Sequence, residues 1–583
     1  MKNEKIWVKI YRLRLGHRGE ASKRFLNQKS LTKTYVYITG NIAPCNEDSH
    51  STKKMHESDG NICANEVNEV LGQTRLVRRI IGLLLILGLL GVLLVLTSTS
   101  RFGPGVSPDS VAHVSTARNL LSGKGYVQYD GSRFVSCPPL FPTLLASIGL
   151  CGFDPLGVAR YLNAICFGAI IFISGLWLLK NIQPLPFALL GAGALLLSKP
   201  LIGVSAFAWP EPLFVLLVLV FVVEAGEFLE RGKSLSFILL TISAMLAFLT
   251  HYLGIAVILA GLVILYLKPS ITPVRRFVNL IMFATISALP TIVWLVGNRI
   301  VSSELTREIA LGSFPIAQNL WFALHAVSKW FLPLRMPTTA RIVIFSLLFI
   351  LMLGLLAAIT ARDRNRWARS NLPQIMPSLC FLLIYLGCLV ASATGVAFGG
   401  INDRLLSPIY VPLILLMVFT FDNLREFPDR HFLRKAFTIT LIAGFSIWLA
   451  YRASRVTKVT WMSFRDGPGG YATAAWRESN LVQHIRRYPL HGQVYSNAPD
   501  AVYILAGESA RLSPRKHPSH SPKSTPDDIL KFKTTLVSGT DTYLVWFENN
   551  YRASYLYSLQ ELRSMFDVDT VAATSDGAVY LVR

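Results

Sequence analysis

The stretch IIGLLLILGLLGVLLVLTSTSRFGPGVSPDS, residues 80–110, decides how the rest of the chain is read. From Ile80 to Thr97 it carries no charge and no proline. A helix needs about 20 mainly apolar residues to cross the hydrocarbon core of a bilayer, so 80–97 is read as a membrane span. Just past it, Ser107-Pro108-Asp109-Ser110 sets a carboxylate ahead of Val111–Leu121, an amphipathic helix by its pattern.

Working outward, the same reading finds ten further spans: 156–179, 185–206, 211–226, 235–250, 252–267, 277–296, 341–359, 373–395, 404–421 and 435–451. The pair 235–250 and 252–267 is read as two short helices broken at His251-Tyr252-Leu253-Gly254, with one long helix as the alternative. Composition agrees with a polytopic membrane protein. Hydrophobic residues make up 52% and charged residues 16%, whereas soluble domains carry about 25% charged residues. That excludes a single soluble globular enzyme, a disordered chain and a fibre.

The 57 basic and 34 acidic residues leave a net charge of +23. In a soluble protein this would point to nucleic acid; here it points to basic cytoplasmic loops, and no nucleic-acid partner is expected. With the N-terminus inside, the inner loops hold Lys180, Arg231-Gly232-Lys233, Lys268 to Arg276, Arg362 to Arg369, and Arg425 to Lys435. Basic residues in every inner loop support the odd number of spans and the split at His251. Residues 1–79 are read as a basic cytoplasmic extension, with Asn41–Asn61 as loop or disorder, no signal peptide, and Met55 as an alternative start. The expected localisation is a bacterial inner membrane, multi-pass.

After residue 452 the apolar runs shorten and alternate with polar residues. Ala472–Arg487 reads as an amphipathic helix and Ser513–Asp528 as a loop. Gln493–Tyr495, Thr542–Phe547, Thr570–Ala573 and Ala578–Val582 read as strands, with Asp576-Gly577 as a hairpin turn between the last two. Residues 453–583 are therefore expected to form a small extracytoplasmic α/β domain, after a transmembrane domain over 80–452 whose first outer loop is 98–155. The seven cysteines make no CxxC or zinc spacing. Cys137 and Cys151 share the first outer loop, which leaves a disulfide open, and no cysteine is given a catalytic role.

This topology gathers ionisable residues on the outer face: Asp109, Glu211 in Trp209-Pro210-Glu211-Pro212, His251, Asn298-Arg299 and Asp403-Arg404. Charges at membrane depth cost about 2.5–3.5 kcal/mol each on insertion scales and tend to face a cavity or each other. Each also has a plain structural reading. Asp109 and Glu211 can cap the helices that follow. Arg299, Arg307 and Arg404 can snorkel to headgroups, and His251 can be a packing histidine.

The ordered series resembles the GT-C superfamily of integral-membrane glycosyltransferases, in particular the bacterial group with the lipid A aminoarabinose transferases and protein O-mannosyltransferases. It runs from Pro108-Asp109-Ser110 through Asn119-Leu120-Leu121, Gly123-Lys124-Gly125-Tyr126, Pro138-Pro139-Leu140-Phe141-Pro142 and Asp154-Pro155 with Ala159-Arg160-Tyr161-Leu162-Asn163. It continues with Glu211-Pro212-Leu213-Phe214, Leu249 to Gly254, Trp294 with Asn298-Arg299, Asp403 to Pro408, and Tyr495-Ser496-Asn497, covering residues 80–510. The chain departs from the family in two places. His251 stands where an Arg is frequent, and Val111 and His113 stand where a second acidic residue is frequent. No metal site is expected.

The resemblance implies transfer of a sugar from a polyprenyl-phosphate donor to a cell-envelope glycan, lipid or protein, with inversion and no cofactor. In that reading Asp109 is the base. Arg299 and Arg404 bind the leaving phosphate, with Arg307, Lys124, Arg133 and Arg160 in reserve. Glu211 binds sugar hydroxyls or orders its loop, Asp403 orients Arg404 or another base, and His251 meets phosphate or substrate. Two other classes stay open: a transporter or flippase of lipid-linked glycans, which would favour repeated halves and midplane breaks, and a noncatalytic scaffold.

Overall fold

The computed structural model describes residues 55–182, 185–268, 272–302, 315–362, 372–395, 400–425, 431–517, 526–537, 541–548 and 555–583. The chain divides into two units, residues 1–79 with 365–370 and residues 80–364 with 371–583. Of the first unit, residues 55–79 are described, all within α1 (Met55–Ser98). The loop read over Asn41–Asn61 is corrected for 55–61, which is helical; its remainder lies outside the described residues.

In the second unit, α2 (Pro108–Leu121) and α3 (Leu140–Gly149) precede a bundle. The bundle contains α4 (Pro155–Asn181), α5 (Leu185–Leu196), α6 (Lys199–Ser205), α7 (Glu211–Arg231), α8 (Ser234–Thr250) and, after a 3₁₀ turn at Tyr252–Gly254, α9 (Ile255–Leu267). It is completed by α10 (Pro273–Ser302), α11 (Ile316–Phe331), α12 (Thr338–Arg362), α13 (Leu372–Gly395), α14 (Asp403–Leu424) and α15 (His431–Asp466). Among the described residues eight helices are long and apolar enough to cross a membrane, or nine if α5 and α6, bent by 49°, count as one span. The spans read at 235–250 and 252–267 are the shorter apolar helices α8 and α9. The chain is a multi-pass membrane protein.

The break at His251 has a local cause. The His251 Nδ1 accepts from Leu253 N at 3.1 Å, closing the turn. A Cβ on Gly254 would meet the Phe248 backbone at 2.5 Å. Burial ranks the helices. The most apolar window of α14 is 78% buried and that of α4 67%, against 17% for α10 and α12 and 6% for α15. The first two form the centre, and the last three turn apolar side chains outward, as a lipid solvent permits. The loop charges gather at one end: Lys180 pairs with Glu227, and Gln374 donates to Glu230. Asp109 lies at the other end.

The C-terminal part comprises α16 (Ala474–Arg477), α17 (Asn480–Arg487), β1 (Gln493–Ser496), α18 (Pro499–Ala501), β2 (Arg511–Leu512), α19 (Pro526–Val537), β3 (Thr542–Phe547), α20 (Leu559–Met565), β4 (Val568–Thr574) and β5 (Gly577–Val582). The sheet order is β2-β1-β3-β5-β4; β1 runs parallel to β2 and β3, and β5 antiparallel to β3 and β4. The single helix read over Ala472–Arg487 is corrected to α16 and α17. Ser479 interrupts it by accepting from Val482 N as the cap of α17. Its hydroxyl donates to Asp576, the hairpin residue, so a tertiary bond fixes the break. The loop read over Ser513–Asp528 ends in helix from Pro526. Strand β2, too short to show a pattern, and helices α19 and α20 were not read from the sequence. Cys137 and Cys151 are unpaired thiols, so the disulfide left open does not form.

Two cores position the site. Val111 on α2 and Val106 before it pack with Val482, Ile485, Val494, Val545 and Phe547 of the C-terminal part. One turn on, Val114 and Ala117 pack with Phe141 and Leu145 of α3 and Val158 and Ala159 of α4. Helix α2 is thus wedged between the two layers, with Asp109 at its start.

Candidate active site

Asp109 owes its position to helix capping. Ser107 and Ser110 form a reciprocal capping box, Pro108 occupies the first turn, and Asp109 follows it. This arrangement satisfies helix-start amides that would otherwise lack partners. Glu211 occupies the first turn of α7 and Asp403 the first turn of α14. Asn402 caps α14, its Oδ1 accepting from Arg404 N at 3.0 Å and Leu405 N at 3.2 Å. A helix start carries roughly half a positive charge, which favours carboxylates there.

Arg404 joins two of these starts. Its Nη1 donates to Asp109 Oδ2 at 2.6 Å and its Nε to Glu211 Oε1 at 2.5 Å. Its guanidinium lies 4.2 Å from the centroid of the Trp209 ring. Trp209 Nε1 donates to Ser107 Oγ at 2.7 Å, so one indole supports both the arginine and the cap of α2. The Trp209 segment is held in turn by Asn163 Nδ2, which donates to the carbonyls of Phe207 and Trp209. The Asp109 side chain is 47% exposed, that of Arg404 23% and that of Glu211 3%. Asp109 is therefore the accessible carboxylate and Glu211 the buried one. Glu211 Oε2 is shielded from solvent and has no hydrogen-bond partner among the described residues.

Backbone pairing fixes the segment before Asp109 on both sides. Gly105 N donates to Ala206 O at 2.7 Å, and Ala208 N returns a bond to Gly105 O at 2.9 Å. On the other side Tyr471 N donates to Val106 O at 2.8 Å. A Cβ on Gly470, whose φ is +59°, would sit 1.9 Å from that carbonyl. Only glycine permits the approach.

Two histidines adjoin the carboxylates. His251 is half-buried, within electrostatic reach of Glu211, Arg404 and Asp109. His113 lies one helical turn beyond Asp109, edge-on to Phe134 and Phe141 at 5.2 and 5.3 Å. Neither of its ring nitrogens has a hydrogen-bond partner among the described residues. Burial pushes its pKa down to about 3, which keeps it neutral.

The structure thus brings Asp109, Glu211, Arg404 and His251 together. Asp403 turns away from its neighbour: its Oδ1 accepts from Trp330 Nε1 at 3.0 Å, while Arg404 is occupied by the other two carboxylates. Arg299 stands in the last turn of α10, and Arg307 lies outside the described residues. Arg160 ties α4 to the end of α1 through Thr99 Oγ1 at 2.8 Å and Leu96 O at 2.9 Å. Lys124 and Arg133 lie on exposed loop. The sequence reading assigns no role to Trp209 or Ser107. Their proximity to Pro210-Glu211 and Pro108-Asp109 was the available signal. His113 was noticed only as a departure. Among the described residues no three His, Cys, Asp or Glu side chains group as a metal site.

No family model matches the sequence, and no curated protein matches it by sequence. Solved structures do match. ArnT from Cupriavidus metallidurans in the apo state aligns with a TM-score of 0.56 and 12% identity, over 86% of this chain and 98% of that one. ArnT from the same organism bound to undecaprenyl phosphate aligns with a TM-score of 0.55 and 12% identity, over the same shares. At that identity the likeness is one of fold: the chain has a GT-C-like fold, with its small sheet at the C-terminus.

Proposed function

We propose that this protein is a membrane glycosyltransferase that moves a sugar from a polyprenyl-phosphate donor to an extracytoplasmic acceptor in the cell envelope, with Asp109 as general base. The observation that carries this reading is the junction of three helix starts, where Arg404 holds an exposed carboxylate beside a buried one. The GT-C-like fold and the undecaprenyl phosphate bound by the ArnT relative support it.

The chemistry follows from the geometry. The acceptor nucleophile attacks the anomeric carbon as its proton passes to Asp109, a transfer typically worth about 10²–10⁴-fold in rate. Hydrogen bonding to Arg404 fixes the direction in which Asp109 accepts. The sugar–phosphate bond breaks and the charge grows on the leaving phosphate. Arg404, Arg299 and the positive ends of α2, α7 and α14 are placed in this reading to stabilise it. Glu211, buried against Arg404, orders that arginine and its own loop. His251 contacts the phosphate or the sugar, and Asp403, through Trp330, fixes the start of α14.

The lipid tail needs an apolar path. A cavity of about 610 Å³ is lined by Leu320 and Val327 of α11, Phe345 of α12, Leu386 of α13, and Ile409 and Leu413 of α14. Helix α14 also carries Arg404, so one helix serves the tail and the head of the donor. The direct test is release of polyprenyl phosphate by purified protein in liposomes, given a panel of polyprenyl-phosphate sugars and a cell-envelope extract. Release by the wild type and none by Asp109→Asn is expected. Equal release by both removes Asp109 from the chemistry.

A further inference from the structure

A second cavity, of about 360 Å³, lies where the C-terminal part meets the Gly105–Val106 segment. Its wall includes Phe102, Val106, Tyr471, Trp476, Arg477 and Arg486. Val106 is three residues before Asp109, so their Cα atoms are within about 11 Å of each other. The cavity therefore shares a wall with the segment that carries Asp109.

The chemistry of the wall is specific. Aromatic rings come from Phe102, Tyr471 and Trp476; Tyr471 and Trp476 are set edge to face at 5.0 Å, and the Arg477 guanidinium lies over the Phe102 ring at 5.3 Å. Tyr471 is locked in place, its hydroxyl donating to the buried Asp500 at 2.5 Å. The two arginines are fixed by main-chain carbonyls, which neutralise no charge. Arg477 donates to Arg101 O at 3.2 Å and Phe102 O at 2.9 Å. Arg486 donates from Nε to Leu505 O at 2.6 Å, and no carboxylate pairs with either among the described residues. Aromatic rings beside rigid, unneutralised guanidinium groups suit a ring with an anionic substituent.

We infer that this cavity binds an anionic saccharide of the acceptor, placing it beside Asp109. This rests on the transferase reading for its role but not for its binding chemistry. The two are separable by experiment. Full-length protein in nanodiscs is titrated with trigalacturonate and with neutral galactotriose. Trigalacturonate should bind, and galactotriose at least tenfold more weakly. Arg486→Gln, and Val482→Trp to fill the cavity, should each weaken trigalacturonate at least tenfold, with the remote surface variant Arg583→Gln as control at the wild-type value. No binding by the wild type, or undiminished binding by Arg486→Gln, overturns the inference. Val482 is buried, so a thermal melt accompanies Val482→Trp; Arg486 is exposed, and its variant decides if the other fails to fold. Release of polyprenyl phosphate to water is measured on the wild type in parallel. Its absence counts against the transferase reading and leaves the binding result to judge the cavity.

Discussion

Arg404 is where composition becomes chemistry. Removing it leaves Glu211 as a buried carboxylate without its counter-charge, a loss of about 3–5 kcal/mol for such pairs. Arg404→Ala is therefore expected to melt well below the wild type, and Arg404→Ala with Glu211→Gln to recover much of the difference. Equal melting of the single and double variants would mean that the pair does not act as one unit. Arg404→Lys keeps the charge but loses the fork that reaches two carboxylates, and should lose transfer while melting near the wild type. His113 gives a pH signature. Its folded-state pKa lies below the ordinary 6.5, so the unfolded chain binds the extra proton first. Its contribution to stability is complete above about pH 6.5 and is lost as pH falls toward 3, at up to roughly 1.4 kcal/mol per pH unit. His113→Phe should flatten the melting temperature between pH 7 and pH 5; an unchanged slope would assign the acid sensitivity to other groups.

At the scale of elements, the sequence was most legible where one physical requirement dominated. Length and apolarity located the long spans, and the polar break at His251 appeared in the residues themselves. Alternation located β3 and the β4–β5 hairpin. What escaped was set by contacts between distant residues. The stop between α16 and α17 depends on Ser479 meeting Asp576. Strand β2 exists only through its pairing with β1. Likewise, no local pattern reveals that Arg404 faces Asp109 and Glu211 rather than Asp403 beside it. Arg452 is a similar case: a buried arginine on α15 that donates to Leu197 O at the α5–α6 bend and to Trp330 O at the end of α11. Arg452→Met should cost about 1–3 kcal/mol for each carbonyl left unsatisfied. A thermal shift no larger than that of a lipid-facing substitution such as Ile447→Ala would show that the bend holds without it.

The second unit is a bundle with two unlike ends. One end carries the loop charges around Lys180 and Arg231; the other carries Asp109 and the sheet. The positive-inside bias predicts a cytoplasmic position for the end around Lys180 and Arg231. A reporter active only outside the cytoplasm should give signal when fused after Arg583 and none when fused at Gly232. Signal from the Gly232 fusion would invert the molecule and with it the proposed side of the reaction. The join between the ends is testable through Gly470, where a Cβ would strike the Val106 carbonyl. Gly470→Ala is expected to abolish transfer while leaving the bundle inserted, as judged by the same fusions.

The double stitching of Gly105 and Val106 also bears on biogenesis. One edge of this segment is sewn to residues 206–208; the other waits for residues 469–471, about 260 residues later in the chain. At ribosomal speeds the interval is on the order of tens of seconds. By its end the nascent chain has made its described spans, but until then it lacks the clamp over the start of α2. A chain that stopped before residue 469 would occupy the membrane with the segment around Asp109 held on one side alone.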